Sequence, residues 1–300
     1  MNLLAKKNIY FFVSIAVLVP GLIFLSLKGL KLSIDFTGGS VFEFSYEKKL
    51  SREEIKSVFD DVGVEIESVV ETGDGKLLVR SRSVDNAKNE EIKTKLQDSF
   101  NDNKISQTSF ETIGPVIGQE TTRNALLSVV IASVGILLYI AYSFRQVPSP
   151  YSSFRFGVSA IIAVLHDAFV VLGVFSILGY FFGVEINSLF ITALLTVIGF
   201  SVHDTIVVFD RIRENLLKMK SMSFEYVVNY SLVETLDRSV KTSLTVILTL
   251  LSLLLLGGES IRWFVFALLI GIVSGTYSSI FNASPILVVW ENFVRKNKKS

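Results

Sequence analysis

Four ionisable side chains stand inside long apolar runs of this chain, His166-Asp167 in one and His203-Asp204 in another. A charge in a bilayer interior is costly, so such residues face protein or water and commonly mark an ion pathway. Asp204 has Ser201 and Thr205 beside it, and Gly199 allows close helix approach. A carboxylate held away from water favours its neutral form, so a modest change in exposure lets it load or release a proton. Arg238 precedes the next apolar run on the side where the Asp204 run ends, which makes it the candidate counter-ion. Its guanidinium keeps its charge, so the titrating partner has to be Asp204. Asp204, Arg238, Asp167 and His203 form the candidate coupling set. Plainer readings stand beside it. Asp167 pairs with a hydroxyl of a neighbouring helix or with His203, His166 is a hydrogen-bonded packing residue, and Arg238 is a snorkelling anchor.

Other patterns carry less chemistry. Asp35-Phe36-Thr37-Gly38-Gly39 is either a tight turn, since paired glycines permit positive φ, or a hinge. Gly199, Gly271 and Gly275 sit at small-residue spacings that suit helix packing, as do Gly179 and Gly183. Asp210-Arg211-Ile212-Arg213-Glu214-Asn215 is a solvated helix end, or pairs with Glu234 or Asp237. An intramembrane aspartyl protease built on Asp167 and Asp204 would need a Gly-x-Gly-Asp setting, and Phe200-Ser201-Val202-His203-Asp204 lacks it. The chain has no Gly-x-Ser-x-Gly, no His-Glu-x-x-His and no cysteine. No enzyme activity, cofactor or metal is therefore expected.

The elements that hold these residues follow from composition. Half of the 300 residues are apolar, 19% are charged and the mean hydropathy is +0.52. Residues 28–123 carry 14 of the 29 Lys and Arg and 18 of the 28 Asp and Glu, leaving the remainder nearly free of charge over long stretches. That excludes a soluble enzyme, a disordered tail and a disulfide scaffold. A net charge of +1 gives no reason to expect nucleic acid. Six runs approach the ~20 apolar residues that a bilayer span requires: Ile9–Leu27, Ala125–Phe144, Phe156–Phe182, Ser188–Phe209, Thr242–Leu256 and Trp263–Trp290. The fifth is short and is expected to begin before Thr242. The first is too long for a signal peptide and lacks a cleavage site. With both termini cytoplasmic, the inside segments hold fourteen basic residues, Lys298 and Lys299 among them, and the short outside loops hold only Arg262. Residues 1–27 are then the cytoplasmic N-terminus and first span, 28–123 an extracytoplasmic domain, 124–290 the other five spans and 291–300 a basic cytoplasmic tail.

Within the external segment, Val41–Tyr46, Glu65–Glu71, Leu77–Ser83 and Ile105–Ile113 read as strands. Gly73-Asp74-Gly75 reads as a hairpin turn. Ser51 and Glu54 have capping-box spacing at the start of a helix, whose apolar face is Ile55, Val58, Phe59 and Val62. Asp85–Phe100 is a second helix, with Ile92, Leu96 and Phe100 on one side. The order β-α-β-β-α-β is the ferredoxin-like pattern, common enough to imply no function by itself. The fold class is thus an α-helical membrane protein with six transmembrane helices plus one extracytoplasmic α+β ferredoxin-like domain.

Together Asp35–Gly39, His166-Asp167, the run from Gly199 to Asn215 and the run Gly275-Thr-Tyr-Ser-Ser-Ile-Phe-Asn-Ala-Ser-Pro285 resemble the SecD/SecF family of bacterial protein export. The resemblance is to its SecF branch and covers nearly the whole chain. The family belongs to the resistance-nodulation-division superfamily of proton-driven exporters. The resemblance implies a SecD-like partner, the SecYEG channel, the SecA motor, YajC, membrane lipid and an unfolded preprotein as substrate. It implies the bacterial inner membrane as location, and translocation and release of preproteins driven by the proton motive force. By the same resemblance Asp204 matches the span-four aspartate of proton conduction and Arg238 its span-five arginine. His203 stands where relatives often have Asn, and Phe200 where Tyr is common. In the cycle this implies, protonation of Asp204 loosens its attraction for Arg238, and Asp35–Gly39 transmits the change outward. The competing reading is half of a small-molecule or lipid exporter of the same superfamily, which usually has larger external domains. Sodium in place of protons is equally compatible with one carboxylate among hydroxyls.

Overall fold

A backbone without water must satisfy its own hydrogen bonds, so long apolar runs become helices. The computed structural model describes residues 2–47, 50–71, 76–100, 103 and 105–297. Six helices among them are long and apolar enough to cross a membrane. They are α1 (Lys7–Lys28), α5 (Pro115–Ser143), α6 (Ser153–Phe182), α7 (Ser188–Lys218), α8 (Phe224–Leu256) and a two-part sixth span, α9 (Glu259–Ser278) and α10 (Ser284–Asn297). The chain divides into two compact units, residues 32–126 and the remainder (1–31 with 127–300). The boundary falls within α5.

The spans overrun their apolar cores wherever capping chemistry lies further out. Pro115 starts α5, a position where its missing N–H costs nothing. Ser223 caps α8 by accepting from the Tyr226 N–H, so the fifth span does begin well before Thr242. Asn187 caps α7 in the same way, accepting from the Phe190 N–H. The sixth span is not one regular helix. A π-helical turn, Ser279–Ala283, separates α9 from α10. Pro285 explains it, since its ring and missing N–H prevent the regular ladder from running back through residue 281.

Within the bundle, α1 packs on α6, and α7, α8 and α6 all pack on α9. Gly21 and Gly173 bring the backbones of α1 and α6 together; a Cβ on Gly173 would lie 2.6 Å from Gly21 Cα. A Cβ on Gly271 would overlap the Val197 side chain, and one on Gly275 would meet Ser201 at 3.3 Å. At Gly199 nothing among the described residues lies within 4 Å of that position.

The smaller unit holds four antiparallel strands, β1 (Gly39–Ser45), β2 (Ile66–Glu71), β3 (Lys76–Ser81) and β4 (Ser106–Ile113), in the order β2-β3-β1-β4. With α3 (Arg52–Asp61) between β1 and β2 and α4 (Asn86–Ser99) between β3 and β4, this is the ferredoxin-like topology. Phe42 pairs with Val79 on one side and Phe110 on the other. Phe42, Phe44 and Val79 bury one sheet face against Ile55, Phe59, Ile92 and Leu96 of the helices. Ser51 and Glu54 form the expected capping box on α3. The Gly73-Asp74-Gly75 turn and the Lys298-Lys299 tail lie outside the described residues. A short helix, α2 (Ile34–Thr37), precedes β1.

Candidate functional site

The buried carboxylates of α6 and α7 have opposite surroundings. Asp167 is 0% exposed and its two oxygens accept four bonds. Oδ1 takes Ser274 Oγ at 2.7 Å and His166 Nδ1 at 3.0 Å. Oδ2 takes Ser201 Oγ at 2.6 Å and Ser278 Oγ at 2.5 Å. Two donors per oxygen fill the acceptor capacity of a carboxylate. The donors come from α6, α7 and α9, so Asp167 knots three spans at one point. Ser274 and Ser278 reach it together because residues four apart share one helix face. The paired hydroxyl of the plainer reading is therefore present, supplied by Ser201, and His203 is not among the partners.

Asp204 is 5% exposed, yet its Oδ2 is buried without a hydrogen-bond partner. The hydroxyl of Ser239 on α8 is likewise buried without a hydrogen-bond partner. Ser201 and Thr205, its neighbours in sequence, are turned to other tasks. Ser201 serves Asp167, and Thr205 Oγ1 pairs with Ser279 Oγ at 3.0 Å. Gly275, rather than Gly199, is the close-approach glycine here, beside Ser201 and Asp167.

Arg238 is exposed and makes no ion pair among the described residues. It lines a crevice of about 390 Å³ with Asp210, Arg211, Glu214, Glu234 and Thr235. Val207, one turn past Asp204, forms the inner wall. Arg211 bonds Glu234 and also reaches Glu214 at 2.6 Å, so the expected pairing of the 210–215 segment with Glu234 is present. Asn215 Nδ2 adds bonds to Ser231 and Glu234. His203 lies exposed on α7, in line with Thr192, Thr196 and Gly199. Among the described residues no three His, Cys, Asp or Glu side chains converge.

In the smaller unit, Asp35–Gly39 is ordered rather than slack. Gly38 and Gly39 have φ of 71° and 117°, in the region that favours glycine. A Cβ on Gly39 would stand 2.9 Å from Ser81 O. Arg80 Nη1 donates to Leu32 O at 3.1 Å and Nη2 to Thr37 Oγ1 at 2.7 Å. Thr122 Oγ1 on α5 donates to Phe36 O at 3.1 Å. Sequence reasoning missed Arg80 and Thr122, and also Gly118, where a Cβ would lie 2.7 Å from Gly38 N. It also did not single out Ser274 and Ser278 as donors, although their i,i+4 spacing opposite a buried carboxylate was the available signal.

These features define a polytopic membrane protein whose helix bundle encloses two unlike carboxylates and whose first long loop folds as an α+β domain. Residues 91–293 match the family model of the protein export membrane protein SecD/SecF, C-terminal, and residues 23–49 match the SecD/SecF GG motif. The chain is 49% identical to the protein translocase subunit SecF of Thermobaculum terrenum, covering 97% of this chain and 94% of that one. It is 37% identical to the protein translocase subunit SecDF of Bacillus subtilis, covering 96% of this chain but 38% of that longer protein. The crystal structure of SecDF from Thermus thermophilus superposes with a TM-score of 0.81 at 35% identity, over 97% of this chain and 39% of that one. The chain belongs to the SecD/SecF family of protein export membrane proteins.

Proposed function

We propose that this chain is the SecF-type half of a two-subunit export machine, in which proton passage at Asp204 is coupled to preprotein movement on the outer side of the bacterial inner membrane. Membership of a family named for protein export supports the export role. The observation that carries the coupling role is the contrast between the two carboxylates. Asp167 has every lone pair engaged and suits a fixed structural knot. Asp204 has a buried oxygen with no partner, one turn from a crevice lined with charged groups. A proton entering from that crevice finds an acceptor there. Arg238 holds its charge at the crevice wall and attracts the carboxylate when it is ionised. One charge crossing 100 mV is worth about 2.3 kcal/mol, enough to bias a two-state arrangement of helices.

The partner reading rests on length and surface. The chain spans about two fifths of the SecDF proteins it matches, whose remaining length supplies the other half. The α7 line of Thr192, Thr196, Gly199 and His203 and the α8 line of Thr242, Thr245, Thr249 and Ser252 are exposed. Thr192, Thr196, Thr245, Thr249 and Ser252 bond only backbone carbonyls of their own helices. Polar stripes of this kind on membrane spans suit a second helix bundle better than lipid. The basic residues of the short loops support cytoplasmic termini and an extracytoplasmic residue 28–123 domain. SecYEG, SecA and YajC are the further partners this reading carries, and transport without enzymatic chemistry is its activity. Asp35–Gly39, held by Arg80 and Thr122, passes motion to the external domain as a stiff joint.

The test is preprotein export in membrane vesicles bearing this chain and its SecD-like partner. A proton gradient is expected to stimulate export with the wild type and not with Asp204→Asn, while Asp204→Glu keeps part of the stimulation. Equal stimulation with Asp204→Asn overturns the coupling role. Stimulation by a sodium gradient alone overturns the choice of ion.

A further inference from the structure

The sixth span loses its regular ladder where it packs against α7. Its π-helical turn, Ser279–Ala283, starts directly after Ser278, the last donor of the Asp167 knot. Beyond the turn, Glu291 of α10 is pinned to Arg155 of α6 by an ion pair at 2.7 Å. The turn is thus the pliable part of a span held on both sides. π-helical turns are rare, and those that occur are frequently found at functional sites.

The same turn joins α7 to α1. It packs against α1, α6 and α7, and the main partners of α1 in the bundle are α6 and this turn. Thr205, Ser279, Asn282 and Ser14 are all buried. Ser279 Oγ donates to Gly275 O at 2.7 Å, which commits its one hydrogen. Thr205 Oγ1, 3.0 Å away, is therefore the donor to Ser279. Thr205 follows Asp204 directly on α7. Further along the turn, Asn282 Oδ1 accepts from Ser14 Oγ of α1 at 2.8 Å. The Phe281 ring lies 4.6 Å from that of Tyr10 on α1, and Tyr277 OH donates to Tyr10 O at 2.8 Å. One end of the turn holds the residue beside the open carboxylate, and the other end holds α1.

We propose that the turn Ser279–Ala283 is the joint through which a change at Asp204 reaches α1, the span that leads along the chain to Asp35–Gly39. Thr205–Ser279 is its input bond and Asn282–Ser14 its output bond. The Asp167 knot holds α9 at Ser274 and Ser278 and α7 at Ser201. A displacement of α7 past Ser201 therefore acts first on Ser279. A regular helix would pass it along its own axis as a rod does. An interrupted ladder yields sideways instead, and Asn282 carries Ser14 with it. The inference rests on Asp204 as the coupled carboxylate and adds the residues that convey its state. They touch no substrate and act through their neighbours, so they are positioning residues.

The experiment uses the full-length chain in phospholipid vesicles, with spin labels on cysteines introduced at exposed positions of this cysteine-free sequence. A remote pair, Phe12 on α1 with Leu217 on α7, and a local pair, Leu217 with Leu244 on α8, are read by pulsed electron resonance. Asp204→Asn, a neutral carboxylate of the same shape, is expected to shift both distances. Added to Thr205→Val or to Asn282→Leu, it is expected to shift the local pair as before. The remote shift should shrink roughly threefold or more, the scale of substitutions along a coupling route. Thr205→Ser restores the hydroxyl and should restore the remote shift, which a merely structural role would not require. Ser279→Ala and Ser14→Ala take the place of either variant that fails to elute as a single folded species. A remote shift undiminished in the joint variants overturns the joint and leaves the role of Asp204 standing. A local shift without a remote one in the otherwise unaltered chain does the same. Silence of both pairs to Asp204→Asn overturns the joint together with the coupling role of Asp204.

Discussion

Ser201 Oγ donates to Asp167 Oδ2 at 2.6 Å, although in sequence Ser201 stands one turn ahead of Asp204. A hydroxyl one turn from one carboxylate along the chain serves the other across the helix interface. This division leaves Asp167 fully bonded and Asp204 with an oxygen open.

Removing one donor from Asp167 leaves a buried acceptor unsatisfied, which costs roughly 1–3 kcal/mol. Ser201→Ala and Ser278→Ala are each expected to lower thermal stability in detergent by that amount. A double variant is expected to depart from the sum of the two, since both hydroxyls share Oδ2. Thermal unfolding followed by tryptophan fluorescence measures it. Additive effects would argue that the two bonds are independent.

Asp167→Ala leaves Ser201, Ser274 and Ser278 facing a void and removes the point where three spans meet. A loss of folded protein is expected, whereas Asp204→Asn keeps the fold, having few bonds to lose. Size-exclusion profiles of the two variants distinguish a structural from a functional carboxylate. Identical profiles would erase the distinction.

The sequence carried most of the architecture, and the reasons are physical. Apolar runs as long as Phe156–Phe182 have one solution in a bilayer. The alternation around Phe42 and Phe44 and the Ser51–Glu54 capping spacing specify a strand and a helix start locally. What escaped depends on contacts far apart in the chain. Gly21 beside Pro20 reads as an interruption of the first span, yet its use is a backbone contact with Gly173, about 150 residues away. Arg238 follows the positive-inside pattern, but nothing local says that its side chain lines a crevice rather than pairing with Asp204. Ser274 and Ser278 become donors only once α9 is laid against α6.

Gly21→Val is expected to push α1 from α6, because a Cβ at that position already lies 2.8 Å from Gly173 Cα. Overpacking of this kind typically costs about 1–3 kcal/mol. Cysteine pairs placed across the two helices in this cysteine-free chain would crosslink more slowly in the variant. An unchanged crosslinking rate would mean that the helices part readily there.

Arg80→Ala removes the donors to Leu32 O and Thr37 Oγ1, the first of them a part-buried contact with a backbone carbonyl. Faster amide hydrogen exchange is expected over residues 33–39, with the β2–β3 pairing retained. Arg80→Lys restores a charge but not the two-armed geometry, so exchange stays fast. Protection equal to the wild type in both variants would show that Thr122 and the glycines hold the joint without Arg80.

The capping box of α3 predicts a dependence on acidity. Glu54 Oε2 accepts from the Ser51 N–H at 2.7 Å, and this bond with the Ser51 backbone is the main reason its carboxyl is held below the ordinary glutamate range. A carboxyl whose folded pKa is depressed contributes stability that is present above its unfolded pKa and fades as pH falls through the folded value. The start of α3 should therefore fray on moving from neutral pH to below the usual glutamate pKa of about 4.3. Glu54→Gln keeps a hydrogen-bonding side chain but has no proton to take up, so its α3 amides should exchange at a rate that responds less to acid once intrinsic exchange is corrected. Ser51→Ala removes the reciprocal bond to the Glu54 N–H at 3.2 Å and is expected to cost about 1 kcal/mol at neutral pH. If the acid response of the wild type persists undiminished in Glu54→Gln, a group other than this carboxyl controls the helix start.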